Sequence, residues 1–273
     1  MRSAVVTGAS TGIGRATAMA LKDAGFVVFA GVRNAKDAKE AEAAGLDAVR
    51  LDVTKDSEVA TVAEHVLART NGRLDLLVNN AGIATGAPVE VLAVADLDKV
   101  LQVNVVGLHR VTQAFLPALI EAKGRIVNIG SIAGRVGMPI MSAYVASKHA
   151  VEGYSDSLRR EVAHLGVKVA IIEPGPVATP IWDKAKFVPD PDRIPQRYHR
   201  FLGAIANSID AGADGIPPED VAKAVLHAAT ASRPRARYPL PLREFVMAKV
   251  MPALPEFVAD ALVDIEFRRI ARR

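Results

Sequence analysis

The chain reads Thr7-Gly8-Ala9-Ser10-Thr11-Gly12-Ile13-Gly14 directly after its first apolar run and directly before a helical pattern. Glycines let a backbone turn tightly and approach a pyrophosphate, while a helix N-terminus presents free N–H groups and a positive dipole end. The spacing is Gly-x3-Gly-x-Gly rather than the usual Gly-x-Gly-x2-Gly, and a plain tight turn could have the same composition. Because a strand precedes the loop and a helix follows it, the sequence favours a nucleotide-binding loop.

Short apolar runs alternate with helical patterns along the chain. The strand candidates are Ala4–Thr7, Phe26–Ala30, Ala48–Leu51, Leu74–Asn79, Arg125–Ile129 and Lys168–Glu173, with a short edge strand around Ala236–Leu240. The helical patterns lie near 13–24, 35–44, 55–69, 96–121, 143–164 and 218–231. Strands that are apolar throughout are covered on both faces. The order therefore predicts an α/β fold with a doubly wound parallel sheet.

The 273 residues contain no internal repeat and no interdomain linker, so we expect a single domain over 1–273. Residues 174–218 are rich in Pro, Gly and Asp and predict a lid over the substrate. Residues 242–273 predict a helical tail with one apolar stripe and a basic end. The stripe comprises Leu254, Phe257, Val258, Ala261, Leu262 and Ile265, and the basic end comprises Arg268, Arg269, Arg272 and Arg273. Such a helix packs on its own subunit or on a second copy, or it lies on an anionic membrane.

Composition excludes several classes of protein. With 50% hydrophobic and 23% charged residues and a mean hydropathy of +0.20, the chain is not disordered. The absence of cysteine excludes disulfides, thiolate nucleophiles, zinc–cysteine sites and iron–sulfur clusters. The six histidines are scattered without paired-ligand spacing, so we expect no metal site.

Charge and hydropathy also limit the partners. The net charge of +4 resides in residues 232–273, so the main fold is neutral and we expect no nucleic-acid partner. No apolar run reaches the ~18 residues that a transmembrane helix needs. The strand that follows Met1-Arg2-Ser3 leaves no room for a signal peptide, and we expect a cytoplasmic protein, with peripheral membrane contact through the tail as an alternative.

The end of the second predicted strand bears on the choice of cofactor. An acid there usually holds the ribose 2′-hydroxyl of NAD, whereas an Arg accommodates the 2′-phosphate of NADP. This chain has Val32-Arg33 and no acid, which favours NADP(H) over NAD(H), although Arg33 could equally be a solvated surface residue. Asp52 and Val53 end the third strand, where the carboxylate could reach an adenine amino group or simply cap the next helix.

Tyr144 and Lys148 are spaced i, i+4 in a strongly helical stretch, so that the phenol and the ammonium share one face. A nearby cation favours the phenolate, and such a tyrosine can exchange protons with an alcohol or a carbonyl oxygen. Ser131 ends the fifth strand, at the edge where doubly wound sheets bind ligands, although a surface-turn serine is also ordinary. Asn104 is polar in an apolar helical run, where it could also bond neighbouring backbone.

Taken together, these motifs resemble the short-chain dehydrogenase/reductase family. The matching residues are the glycine loop, Asn79-Asn80-Ala81-Gly82, Asn104, Ser131, Tyr144-x3-Lys148 and Pro174-Gly175-x3-Thr179, which span about two-thirds of the chain. The resemblance implies a Rossmann-type single domain of about seven strands. It also implies a homodimer or homotetramer built partly on the helices at 96–121 and 143–164.

The resemblance also implies residue roles. Tyr144 is the proton donor or acceptor, Lys148 binds the nicotinamide ribose and lowers the pKa of Tyr144, and Ser131 holds the substrate oxygen. Asn104 anchors a water in the proton relay, and Thr179 meets the nicotinamide amide. The expected cofactor-binding set is Gly8, Ser10, Thr11, Gly12, Ile13, Gly14, Arg33, Asp52, Val53, Asn80, Ala81, Gly82, Tyr144, Lys148, Pro174, Gly175, Val177 and Thr179.

The stretches 131–139 and 147–153 look closest to the retinol and hydroxysteroid dehydrogenase branch, which implies a small lipophilic alcohol or carbonyl substrate. An apolar pocket could be formed by Met138, Met141, Ile181, Trp182, Phe187 and Phe201, which could equally pack the lid onto the body. One alternative is a 3-oxoacyl-thioester reductase, for which Lys184 and Lys186 could serve. Another is a non-catalytic NADPH-sensing protein, against which the intact Ser131, Tyr144 and Lys148 argue.

Overall fold

The computed structural model describes residues 2–181, 194–199, 201, 215–241, 246 and 249–270. Within them, parallel strands form one seven-stranded sheet in the order β3-β2-β1-β4-β5-β6-β7. The strands are β1 Arg2–Val6, β2 Phe26–Val32, β3 Asp47–Arg50, β4 Leu76–Asn79, β5 Arg125–Ile129, β6 Lys168–Pro174 and β7 Arg237–Leu240. The predicted doubly wound parallel sheet is confirmed. Its order reverses between β1 and β4, which is where such sheets bind nucleotides.

Helices cover both faces of this sheet. The helices of the described residues are α1 Gly12–Asp23, α2 Ala35–Ala43, α3 Asp56–Arg69, α4 Val94–Leu101, α5 Leu108–Ala122, α6 Ser142–Val162, α7 Pro218–Thr230 and α8 Glu256–Ile270, of which α8 lies in the tail. Along β1, Ala4 and Val6 belong to a core shared with α1 and α7, whereas Val5 belongs to a core shared with α3, α5 and α6. Because successive side chains point to opposite faces, both faces had to be apolar, which is why the strand runs lack alternation.

The predicted helix at 96–121 differs from a regular α-helix. A π-helical turn, Gln102–Gly107, joins α4 to α5 and contains the buried Asn104. The wider turn changes which side chains face the core, and such turns recur at functional sites. Among the described residues, Val94–Ala122 is also long and apolar enough to pass a length-and-composition test for crossing a membrane. Phe115 and Leu119 are completely buried against the sheet, so the helix belongs to the core.

The predicted lid and tail are described only in part. Within the lid, residues 194–199 contain a 3₁₀ turn, Gln196–Tyr198. Arg197 of this turn forms an ion pair with Glu90. Trp182, Lys184, Lys186 and Phe187 lie outside the described residues.

The tail forms the helix α8, but its predicted apolar stripe is largely open to solvent in the single chain. Phe257 is 76% exposed and Ile265 is 61% exposed. Arg268 pairs with Asp264 at 2.6 Å. Arg272 and Arg273 lie outside the described residues, as does the side chain of Arg269.

Candidate active site at the carboxyl edge of the sheet

The glycine loop joins β1 to α1 and has the backbone that its sequence predicts. Gly8 and Gly12 have φ angles of 65° and 54°, in the left-handed region that favours glycine. Gly14 is buried, and a Cβ there would lie 2.2 Å from the Gly8 carbonyl oxygen. The loop can therefore fold back on the first turn of α1 only if this position has no side chain. On the same turn Ser10 is half-buried and Thr11 is exposed, whereas Ile13 is half-buried and packs against the core that α1 shares with β1.

A network of hydrogen bonds ties this loop to the end of β4. The Thr7 hydroxyl accepts the backbone N–H groups of Asn80, at 3.0 Å, and of Ala81, at 2.9 Å. The Asn80 side-chain amide donates to the carbonyls of Thr7 and Gly8, at 2.9 and 3.0 Å. The two strands that flank the reversal of sheet order are thus held together at the crevice. Asn80, expected beside the adenosine, uses its amide group to brace the glycine loop.

The residues expected at the adenosine end lie where β2 and β3 finish. Arg33 is exposed, and its charge acts on Asp52. Burial raises the pKa of Asp52, but hydrogen bonds from Thr54 outweigh it and hold the pKa below its ordinary value. The Asp52 Oδ1 accepts the Thr54 hydroxyl at 2.7 Å, so this carboxylate also shapes the turn before α3. Val53 is buried, and its carbonyl accepts from Arg110 at 2.7 Å.

Asn104 links three parts of the site. Its Oδ1 accepts the Ile83 N–H at 2.9 Å, and its Nδ2 donates to the Ile83 carbonyl at 2.9 Å and to the Ser147 hydroxyl at 3.0 Å. Ser147 in turn donates to the backbone carbonyl of Tyr144 at 2.7 Å. The Asn104 side chain is therefore committed to protein partners, and it fixes the loop near Gly82 relative to the first turn of α6.

Ser131, Tyr144 and Lys148 come together beside the end of β5. Ser131 follows the strand, its hydroxyl accepts the Ala133 N–H at 3.1 Å, and it also hydrogen bonds to the Tyr144 side chain. The Lys148 ammonium donates to the Ile129 carbonyl at 2.8 Å and lies 5.7 Å from the centroid of the Tyr144 ring. This convergence is what the i, i+4 spacing and the position of Ser131 predicted.

The protonation state of the pair differs from the expectation. Burial raises the pKa of Tyr144, and the hydrogen bond with Ser131 only partly opposes it. Burial also lowers the pKa of Lys148, to about 8. The pKa of Tyr144 is therefore not lowered overall, in contrast to the expectation, because burial of the phenol outweighs the groups that favour the phenolate. At neutral pH the phenol is a proton donor.

The segment after β6 covers the glycine loop. The Pro174 carbonyl accepts from the Ser131 hydroxyl at 3.4 Å, and the Gly175 N–H donates to Leu240 at 2.7 Å. Val177 is buried and pairs with Ile216 in an isolated bridge. A Cβ on Gly12 would lie 3.0 Å from the Thr179 methyl carbon. The two segments expected to hold the cofactor therefore adjoin.

An apolar cluster lies beside Tyr144. Ala84 and Ile140 are buried there, and Met141, Ile181 and Phe201 pack against them with the tyrosine ring. Three of the six side chains expected to line a pocket therefore meet at the phenol, whereas Met138 is half-buried outside this cluster.

Two residues of the site were not among those predicted from the sequence. Thr7 is part of the glycine loop, but the sequence gives no sign that its hydroxyl would accept hydrogen bonds from two backbone N–H groups. Ser147 had a usable signal, because a polar residue at i+3 from Tyr144 shares its helix face. Its full burial, which makes it a link to Asn104, appears only in the fold.

A family model described as short chain dehydrogenase matches residues 2–187. The chain belongs to this family. It is therefore an NAD(P)-dependent oxidoreductase, as its relatives indicate. The fold and the Ser131–Tyr144–Lys148 site are what such an enzyme needs.

Relatives cover almost the whole chain. An NADPH-dependent 3-dehydrocapnine reductase from Ornithobacterium rhinotracheale is 34% identical and aligns with 100% of this chain and 99% of its own. Retinol dehydrogenase 16 from Mus musculus is 35% identical over 94% of this chain and 86% of its own, in accord with the predicted branch. A solved short chain dehydrogenase/reductase from Burkholderia phymatum, in complex with NAD, has a TM-score of 0.80 and 27% identity, over 92% of this chain and 93% of its own.

Proposed function

We propose that this dehydrogenase uses NADP(H) to interconvert a lipophilic alcohol and its carbonyl. The observation that carries the proposal is the convergence of the Ser131 and Tyr144 hydroxyls with the Lys148 ammonium at the carboxyl edge of the sheet. Beside them lies the apolar cluster of Ala84, Ile140 and their neighbours. A polar proton-transfer group next to an apolar wall suits a substrate with one reactive oxygen on a hydrophobic body.

The glycine loop fits a dinucleotide. A side chain at Gly14 would fill the space between the loop and α1, and Gly8 and Gly12 adopt backbone angles that leave N–H groups at a helix N-terminus. The residues that would hold the cofactor are those of the loop, Arg33 and the segment 174–179. The nicotinamide, when bound, supplies or accepts the hydride.

The protein's own part in the reaction is proton transfer and orientation. Ser131 hydrogen bonds the substrate oxygen together with the Tyr144 phenol, which donates its proton as a carbonyl becomes an alcohol. Lys148 holds positive charge beside the phenol and stabilises negative charge on its oxygen during the transfer. The bonds from Asn104 through Ser147 to the Tyr144 carbonyl keep the phenol in place.

The preference for NADP(H) is supported by Arg33, which stands exposed at the end of β2 with no acid in its position. The related reductase that is described as NADPH-dependent adds support. The Burkholderia phymatum structure binds NAD, so a direct comparison of the two cofactors is the decisive measurement for this part of the proposal.

The lipophilic substrate is supported by the apolar side chains at Tyr144 and by the similarity to a retinol dehydrogenase. We also propose a cytoplasmic homo-oligomer, in which a second copy covers the exposed apolar side chains of α8. Size-exclusion chromatography of the full chain and of a chain ending at Pro241, after β7, tests this assembly. Co-sedimentation with anionic vesicles tests the membrane alternative.

The function is tested by the Tyr144→Phe variant in an NADPH-oxidation screen over ketones, retinoids, steroids and acyl thioesters. The expected result is a loss of turnover of about 10²–10⁴-fold with NADPH affinity nearly intact, because only the proton donor is removed. Tyr154→Phe, in the same helix and bonded to His109 at 3.2 Å, is the matched control and keeps activity. Turnover in Tyr144→Phe equal to that of the unaltered enzyme contradicts the proposal.

A further inference from the structure

Behind Lys148 lies a buried ion cluster made of Arg135, Glu152, Asp156, Glu173 and Arg237. Glu152 and Glu173 are only 7% and 3% exposed. The Glu173 carboxylate is paired to Arg135 at 2.8 Å, and Arg237 spans Glu152 at 3.2 Å and Asp156 at 2.8 Å. Two buried acids, one half-buried acid and two half-buried guanidinium groups thus lie together at a point that the proposed reaction does not use.

The cluster begins on the helix face that carries the active site. Tyr144, Lys148, Glu152 and Asp156 are successive i, i+4 positions of α6, so their side chains form one row. Lys148 is therefore placed between the phenol on one side and the Glu152 carboxylate on the other.

The loop after β5 leaves space for this carboxylate. A Cβ on Gly130 would lie 3.0 Å from the Glu152 Oε1, and a Cβ on Gly134 would lie 3.0 Å from its Cγ. The same Oε1 is buried without a hydrogen-bond partner among the described residues. A buried carboxylate oxygen without a hydrogen-bond partner costs free energy of folding. A role that needs the charge of Glu152 gives a reason for its presence.

We propose that Glu152 is a positioning residue for the reaction: its carboxylate, held by Arg237 and Arg135, keeps the Lys148 ammonium charged beside Tyr144. This inference rests on the proposed function for its catalytic meaning. In this arrangement the charge of Lys148 depends on the Glu152 carboxylate, which does not contact the substrate.

The electrostatics of the row agree with this role. Burial lowers the pKa of Lys148 to about 8, and the charge of Glu152 opposes that fall. Burial and Glu173 raise the pKa of Glu152 to about 7, while Arg135 and Arg237 oppose the rise. The groups that face Glu152 are Lys148 and Asp156 from α6, Arg135 from the loop after β5, Glu173 from β6 and Arg237 from β7. With Glu152 neutralised, burial acts unopposed on Lys148.

The direct test is a pH titration of the apoprotein by NMR, with ¹³C label at the lysine Cε and Lys148→Arg to assign the resonance. In Glu152→Gln the titration midpoint of Lys148 falls by about one pH unit, because the facing opposite charge is gone. Glu152→Asp keeps the charge and restores most of the midpoint. Glu161→Gln, the matched control, removes an exposed acid of the same helix that lies outside the cluster, and it leaves the midpoint unchanged.

Glu152→Gln is expected to fold, because glutamine has the shape of the neutral carboxyl, the form that burial and Glu173 favour at this position. If it does not fold, the unaltered protein still decides, since its Lys148 resonance must show a second inflection when Glu152 titrates. A single inflection, or an equal midpoint in Glu152→Gln, overturns the proposal.

The kinetic test is the pH profile of kcat/KM. In Glu152→Gln its basic limb moves to lower pH by the same interval as the NMR midpoint, whereas in Glu161→Gln it stays. A uniform loss of activity with an unmoved limb indicates a merely structural role and overturns the proposal. If no substrate is turned over by the unaltered protein, the proposed function fails, and the NMR titration still decides whether Glu152 sets the charge of Lys148.

Discussion

Gly14→Ala tests how tightly the glycine loop packs on α1. The added Cβ would lie 2.2 Å from the Gly8 carbonyl oxygen and 2.4 Å from the Asn80 amide nitrogen. The Gly8 carbonyl must retreat by about 1 Å to reach ordinary van der Waals contact. That carbonyl accepts a 3.0 Å hydrogen bond from the Asn80 side chain, so the movement breaks a bond that joins β1 to β4.

The cost combines overpacking with a lost hydrogen bond. We expect Gly14→Ala to lower the free energy of unfolding by about 2–4 kcal/mol, even after a helix-propensity gain of about 1 kcal/mol. NADPH affinity falls as well, because the displaced loop is the one expected to face the pyrophosphate. Urea denaturation of the apoprotein measures the first effect, and NADPH fluorescence titration measures the second.

Gly153→Ala is the matched control. Gly153 is also a helical glycine, but it is exposed, and nothing lies within 4 Å of a Cβ there. The same substitution should therefore stabilise the protein by about 1 kcal/mol and leave NADPH binding unchanged. If Gly14→Ala keeps the stability and the NADPH affinity of the unaltered protein, the inferred contact between the loop and α1 is refuted.

Two further substitutions probe the crevice. Arg33→Ala should weaken NADPH binding by about tenfold or more and leave NADH binding unchanged, because only NADPH carries the 2′-phosphate. Arg73→Ala, near the opposite edge of the sheet, serves as the control. Equal losses for both cofactors would contradict a contact between Arg33 and the 2′-phosphate. Asn104→Ala should lower the free energy of unfolding by about 3 kcal/mol, since the two backbone groups of Ile83 lose their partner. Asn34→Ala, at the exposed cap of α2, should cost only about 1 kcal/mol by the same urea assay, and similar losses at both positions would count against a bracing role for Asn104.

The strands could be predicted closely because their sequence signal is strong. Phe26–Val32 is apolar on both faces, and so are residues 169–172 of β6, as strands buried between two layers of helices must be. The π-helical turn at Gln102–Gly107 had no such signal. Its residues read as an ordinary helix, and the wider turn is visible only where Asn104 meets Ile83 and Ser147.

The sequence alone determined the loop, the helix face and the edge at which chemistry occurs. Glycine spacing, the i, i+4 rule and strand periodicity are local properties, so Gly8–Gly14 and the pair Tyr144 and Lys148 were visible without a fold. The protonation states of these side chains were not visible from the sequence, because a pKa depends on burial and on charges brought from distant parts of the chain.

Only the tertiary structure decided the charge state of the carboxylate that Lys148 faces. Glu152 is near in sequence, but its state depends on Glu173 and Arg237, which β6 and β7 bring beside it. The desolvation that raises the pKa of Tyr144 likewise comes from packing that no short stretch of sequence specifies. The chain encodes the reacting groups locally, and the packed interior sets their charge, because solvent exclusion is a property of the whole fold.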